Sequence, residues 1–275
     1  MLEHQELRLY QVNLHKHKER THGVFNDPIM KDYTALLLQE QFWCNYSNSS
    51  PLHPSWTLYE PTAKSTQGQP RAAIYINNSA LAPTQITQLD IPCSDAVAIH
   101  IDRKSDCNSK HESILIINIY NPQEASIIFE VCKHLASRID TEIVIFAGDF
   151  NAHHPLWNPH YYLIHDAIGD ELVEAAASLG LSLLTPPRTV TFPQARTAID
   201  LAWGNSVAVS RLLKCKLAMD KDFGSDHLPI ETVIAAPSDT TLSELEQRPP
   251  YDFSKTDWEE FSKTLSIHLP SLTEI

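Results

Sequence analysis

The sequence predicts an α+β fold in which two packed, mainly antiparallel β-sheets carry their helices on the outside. Three observations predict it. Eight short segments favour strands, only two segments repeat their apolar residues at helical spacing, and the two kinds do not alternate as a βαβ repeat requires. In chain order the strand segments are residues 7–14, 35–39, 72–76, 96–101, 114–120, 142–146, 199–203 and 228–234, each marked by an apolar run or by alternation. The first helix is expected over about residues 123–138, where Ile127, Ile128, Val131 and Leu135 share one face. The second is expected over about residues 170–179, stopped by Gly180, since glycine takes the left-handed backbone of a helix C-cap without steric cost. No repeat at a period of about 20 to 50 residues interrupts this reading.

The chain has 275 residues, enough for one large core and a tail. With 43% hydrophobic and 20% charged residues, wholesale disorder is excluded. The longest uninterrupted apolar run, residues 143–147, falls far short of the roughly 18 residues a membrane span needs, so no membrane partner is expected. The start, with Glu3, His4 and Glu6, lacks the basic patch and apolar segment of a secretory signal. Five cysteines are an odd number and form no CxxC pair, which argues against a disulfide scaffold or a cysteine-zinc site and for a reducing, intracellular compartment. The formal charge of −13 repels polyanions at long range, so a phosphate substrate must be met by local groups.

A domain edge is expected at residue 236, giving one domain over 1–236 and a tail over 237–275. The tail leads from Ser238, Asp239, Thr240 and Thr241 to Arg248-Pro249-Pro250, turn formers and missing N–H groups typical of a linker. Thr256 and Glu259 then have the spacing of a capping box, and Trp258, Phe261 and Leu265 share a helical face. Such a short amphipathic helix needs a partner or a downstream domain to pack against.

The informative residues are polar ones at strand ends. Gly148 precedes Asp149-Phe150-Asn151, and Gly224 precedes Ser225-Asp226-His227, in a chain with only seven glycines to place. By strand alternation Asp149 and Asn151 would point the same way, putting a carboxylate and an amide in one pocket. Glu40 ends the apolar segment Leu36-Leu37-Leu38-Gln39, and Asp200 follows Ala198-Ile199. Singly, each acid reads as an ordinary turn former. Together, four acids, two asparagines and a histidine offer what phosphoester hydrolysis requires: hard oxygen ligands for Mg²⁺, a group to orient water, and a donor for developing charge. His153 and His154 with His160 or His165 would make a poor zinc set, having neither cysteine nor regular i, i+4 pairing.

In this order along the chain, Gln11-Val12-Asn13, Leu38-Gln39-Glu40, Asn118-Ile119-Tyr120-Asn121-Pro122, Gly148-Asp149-Phe150-Asn151-Ala152-His153-His154, Ala198-Ile199-Asp200 and Ser225-Asp226-His227 resemble the endonuclease/exonuclease/phosphatase superfamily. Within it they are similar to the endonuclease domain of non-LTR (LINE-like) retrotransposons, a resemblance covering residues 7–235. His153-His154-Pro155-Leu156-Trp157 and the stretch from Asp252-Phe253 to Trp258-Glu259-Glu260-Phe261 look like that branch in particular.

The resemblance implies a four-layered α/β sandwich with the site at one end of the paired sheets, and Mg²⁺, or Mn²⁺ in its place, as cofactor. It implies Glu40 as the principal metal ligand with Asn13 and Asp226 beside it. Asp149 and Asn151 would position and deprotonate the attacking water, and His227 would donate to the scissile phosphate. Asp200 would hold the His227 imidazole, and Tyr120 would give the phosphate a phenol hydrogen bond. The implied partners are DNA, nicked to leave a 3′-hydroxyl, and a downstream reverse transcriptase domain of the same polyprotein; residence in the nucleus follows from that substrate alone. The same chemistry on a small or lipid phosphate, or an inactive relic, are the alternatives. Arg188, Arg196, Thr191 and His154 are the candidate substrate contacts, joined by the run His15-Lys16-His17-Lys18-Glu19-Arg20. Two departures stand out. Gln41 occupies a position where many relatives have proline, and residues 191–197 are short for the hairpin that relatives insert into the DNA groove, which implies weak sequence selectivity.

Overall fold

A computed structural model describes residues 6–63, 69–103, 112–123, 126–136, 143–160 and 164–235. The expected linker and helix of residues 237–275 lie outside the described residues. Two six-stranded sheets form the frame. The first runs, edge to edge, β11 (Leu212–Leu217), β12 (Ile230–Ala235), β1 (Glu6–Asn13), β2 (Ala35–Gln39), β4 (Ala72–Asn77), β3 (Trp56–Tyr59). The second runs β5 (Ile86–Leu89), β6 (Ala96–Arg103), β7 (Glu112–Tyr120), β8 (Ile143–Asp149), β10 (Asp200–Gly204), β9 (Ser182–Leu183). Each sheet has one parallel pair at its centre, β1 with β2 and β7 with β8, and is otherwise antiparallel.

Strand alternation sorts the core into layers. Along β2, Leu37 enters the layer between the sheets with Leu9, Ile74, Ile99, Ile116 and Ile145, whereas Leu36 and Leu38 join Tyr10, Val12 and Tyr75 on the outer face. That outer face is covered by α1 (Lys18–Asn26) through Val24 and Phe25. On the far side, Leu115, Ile117, Val144 and Phe146 pack under α2 (Ile128–Leu135) and α3 (Ala167–Ser178). β8 is buried along its whole length, in keeping with an apolar run that meets a layer on both faces. The result is the expected four-layered α+β sandwich. No helix among the described residues is long and apolar enough to cross a membrane.

All eight expected strands are present, with ends shifted by at most three residues. The four strands that sequence reading missed, β3, β5, β9 and β11, are the four sheet edges. An edge strand is half solvated and needs neither a long apolar run nor clean alternation, and β9 has only two residues. Helix α1 was also missed, because its first turn is the charged Lys18-Glu19-Arg20 and it buries only Thr21, Val24 and Phe25. Helix α3 starts earlier than expected because the Asp166 carboxylate accepts from the Gly169 N–H at 2.6 Å and so caps the first turn. Its end is as expected, Gly180 having φ of 63°.

Candidate active site

The parallel pairs set the geometry. Strands that run the same way end at the same rim, and here those ends carry Asn13 (β1), Glu40 just after β2, Tyr120 (β7) and Asp149 (β8). Asp200 opens β10 directly opposite Asp149 in the antiparallel register, so two carboxylates face each other across one strand pair. The two sheets are stitched together behind this rim by amides in otherwise apolar strands. Gln11 Nε2 donates to the Gly148 carbonyl at 2.9 Å, Gln39 Nε2 donates to Asn118 Oδ1, and Asn118 Nδ2 donates to the Ala73 carbonyl at 2.8 Å. Gly148 is required there. Its φ is 144°, and a Cβ would lie 2.0 Å from the Ile119 carbonyl oxygen.

Asp149 is buried, and Asn13 Nδ2 reaches across the sandwich to donate to its Oδ2 at 2.9 Å. The Asn151 N–H donates to Asp149 Oδ1 at 3.1 Å. Burial first, then the neighbouring Asp200 charge, push the Asp149 carboxyl up to about 7, against the opposing effects of His227 and Asn13. His227, just before β12, places Nδ1 at 2.8 and 3.1 Å from the two oxygens of Asp200. Burial alone would strip its proton, but the charge and hydrogen bond of Asp200, with Asp149 and Asp226 adding, outweigh it and raise the imidazole to about 9. At neutral pH the histidine is therefore charged and sits beside a carboxyl poised to gain or lose a proton. Asp149, Asp200 and His227 each have a ligating atom within 4.8 Å of the others, the one such trio found among the described residues, and close enough to share a cation.

The other predicted site residues divide by what they touch. Asp226 is tied to the site by its neighbour, Ser225 Oγ donating to the Asn13 carbonyl at 2.6 Å, and pairs with His15 at 3.1 Å. Glu40 takes a left-handed φ of 44° and pairs with Lys16 at 3.3 Å. Asn151 does not share a direction with Asp149 as alternation suggested. The strand stops at Asp149 and the chain turns through a φ of 45° at Asn151, so its Nδ2 donates to the Asn121 carbonyl at 2.9 Å and its Oδ1 accepts from Gln123 at 3.3 Å. Tyr120 lies level with Asp149, its ring 4.5 Å from the Arg71 guanidinium, which is itself held by Asp95 at 2.7 and 2.9 Å. Thr191 is buried, and its hydroxyl accepts from the N–H groups of Ile199 and Asp200, both at 3.1 Å, which fixes the start of β10. Arg188 and Arg196 both have left-handed backbones in surface turns, with φ of 72° and 57°. His154 is engaged elsewhere, its ring 5.2 Å from Trp157 and Nε2 3.8 Å from Asp170.

Sequence reading missed Phe192, whose ring lies 4.9 Å from the His227 ring, and the pair Arg71 and Asp95 behind Tyr120. Phe192 reaches the site from a tight turn closed by the Phe192–Thr197 bridge, and nothing in its neighbours signals that. The stitching amides could have been found, since a glutamine or asparagine inside an apolar strand demands a buried partner.

Residues 114–231 match the family model described as "Endonuclease-reverse transcriptase". Among solved structures, the endonuclease domain of TRAS1, a telomere-specific non-LTR retrotransposon, superposes with a TM-score of 0.66 at 20% identity, covering 83% of this chain and 98% of that one. The AP endonuclease LMAP from Leishmania major gives 0.63 at 12% identity, with 85% and 89% covered. The catalytic domain of Xenopus laevis APE2 gives 0.60 at 18% identity, with 84% and 94% covered. No curated protein matches the chain in sequence. Residues 114–231 thus match the endonuclease-reverse transcriptase family model, and the chain shares the sandwich fold of these endonuclease domains.

Proposed function

We propose that the chain is a divalent-metal-dependent endonuclease that nicks DNA and leaves a 3′-hydroxyl. A reverse transcriptase domain downstream in the same polyprotein would extend that end. The nucleases among the structural relatives and the family description support this reading, as does one observation in particular: His227, bonded to Asp200 at 2.8 Å, and Asp149, bonded to Asn13 at 2.9 Å, share one buried cluster at the rim. Such a substrate would also put the protein in the nucleus.

The donor chemistry fits Mg²⁺ or Mn²⁺. Both prefer oxygen ligands, and the carboxylates of Glu40 and Asp226 with the Asn13 amide are all oxygen donors at one rim. The Asp149–Asp200–His227 trio is the tighter cluster, yet His227 Nδ1 is committed to Asp200 and the ring is protonated, so it serves as a donor rather than a ligand. When bound, the metal would neutralise phosphate charge and act as a Lewis acid on a phosphoryl oxygen. Asp149 takes the proton of the attacking water, held at hydrogen-bond distance by Asn13 and the Asn151 N–H so that its carboxylate keeps one orientation. His227, steadied by Asp200, donates from Nε2 to the phosphate, and Tyr120 adds a phenol hydrogen bond. Arg188 and Arg196 would meet flanking phosphates.

Plasmid nicking with Mg²⁺ and with EDTA tests the reading. Expected are nicks with Mg²⁺ only, and losses of about 10²- to 10⁴-fold in Asp149→Asn and His227→Ala with the fold intact. Intact plasmid beside hydrolysis of a small phosphate ester would move the substrate, and no hydrolysis of either would make the module a relic.

A further inference from the structure

The turn after β1 carries two consecutive residues in left-handed backbone, His15 at φ 50° and Lys16 at φ 56°, a conformation that side chains with a Cβ seldom adopt and rarely adopt twice running. Backbone bonds hold it: the His15 N–H donates to Asn13 Oδ1 at 2.8 Å, and the Lys16 N–H donates to the Glu40 carbonyl at 2.6 Å. The strained turn sends two successive side chains, an imidazole and an ammonium, to two acids. Lys16 Nζ lies 3.3 Å from Glu40 Oε1, and His15 Nδ1 lies 3.1 Å from Asp226 Oδ2. Neighbouring basic side chains go elsewhere, His17 to Glu19 at 3.2 Å and Lys18 over the Phe42 ring at 5.9 Å. The pairs are also lopsided. The Glu40 and Asp226 side chains are 14% and 17% exposed, whereas those of Lys16 and His15 are 58% and 66% exposed.

We propose that Lys16 is a built-in counter-cation that neutralises the Glu40 carboxylate and yields it to a divalent ion, which frees Lys16 to meet a phosphate of the nucleic acid. The proposal rests on the reading of Glu40 and Asp226 as ion ligands. Half-buried carboxylates at a rim that already holds Asp149 and Asp200 are costly without a positive partner, and Lys16 supplies one. Its ammonium is mostly in water already, so it leaves without a large desolvation change, and its charge pays no penalty on release. An ammonium and a divalent ion at one carboxylate repel each other, so ion entry favours lysine departure.

The test uses Mn²⁺ as probe, titrated calorimetrically into the full chain without nucleic acid, for wild type, Lys16→Ala, Lys16→Arg and Lys31→Ala, the last removing an exposed charge outside the site. Lys16→Ala is expected to bind Mn²⁺ about three- to fivefold more tightly, with the other two near wild type. In the same variant, binding of an uncleavable phosphorothioate duplex should weaken, its log–log salt slope shrinking by about one. Tighter Mn²⁺ binding with an unchanged duplex slope overturns the release to phosphate. Equal Mn²⁺ affinity in wild type and Lys16→Ala overturns the counter-cation while the nuclease reading stands. Wild type that binds no Mn²⁺ overturns both.

Discussion

His227 shows at the scale of one residue how burial and charge compete. Asp200 wins, and the consequence is measurable. In Asp200→Asn only burial and the more distant carboxylates remain, so the imidazole should titrate well below its wild-type value of about 9, read by NMR of the ring carbons. An unchanged titration would remove Asp200 as the cause. Because the folded value lies above the unfolded one of about 6.5, the pair stabilises the fold fully below pH 6.5, and that contribution, about 3 kcal/mol, is lost as pH rises through 9. Denaturation of wild type against Asp200→Asn across that window checks the sign. If Asp149 is the base and His227 the donor, nicking should rise as pH passes about 7 and fall as it passes about 9. The residues of this network were legible in the sequence because each breaks a pattern, an acid or amide where an apolar strand stops. Phe192 and Arg71 were not, since loops deliver them and only tertiary packing decides where a loop residue arrives.

Among elements, β8 and β10 depend on two small details of their ends. Gly148→Ala would force a Cβ onto the Ile119 carbonyl and hold a disfavoured φ, and is expected to cost about 3 kcal/mol or more in a urea melt. Thr191→Val would leave the buried N–H groups of Ile199 and Asp200 without their acceptor, for a loss of about 1 to 3 kcal/mol, and should disturb His227 through Asp200. The short turn from Phe192 to Thr197 bears on substrate choice as well. With so little chain to reach into a groove, nicks mapped on a random duplex should show weak sequence preference, and a single sharply preferred site would contradict this. Central strands announced themselves in the sequence and edges did not, for the reason that the centre is buried on two faces whereas an edge is only half enclosed.

For the molecule as a whole, the two sheets repeat one plan: edge pair, parallel centre, edge pair. That plan brings two sets of strand ends to one rim from residues as far apart as Asn13 and His227, and no local window of sequence displays the meeting. The net charge of −13 opposes a polyanion, so the proposed DNA binding would rest on few contacts. If Lys16, Lys18, Arg188 and Arg196 meet phosphates, a duplex-binding salt slope of about −3 to −4 is expected by fluorescence anisotropy. A slope near zero would mean the phosphates are not met by these groups.

The Asn13 to Asp149 hydrogen bond crosses from one sheet to the other, and the family match begins only at residue 114. A fragment trimmed to that matched stretch would retain Asp149, Asp200 and His227 yet strip the Asp149 carboxylate of its amide clamp and bare the apolar seam to water. The bond that orients the Asp149 carboxylate is thus also one of those that join the sheets, beside Gln11 to Gly148 and Asn118 to Ala73.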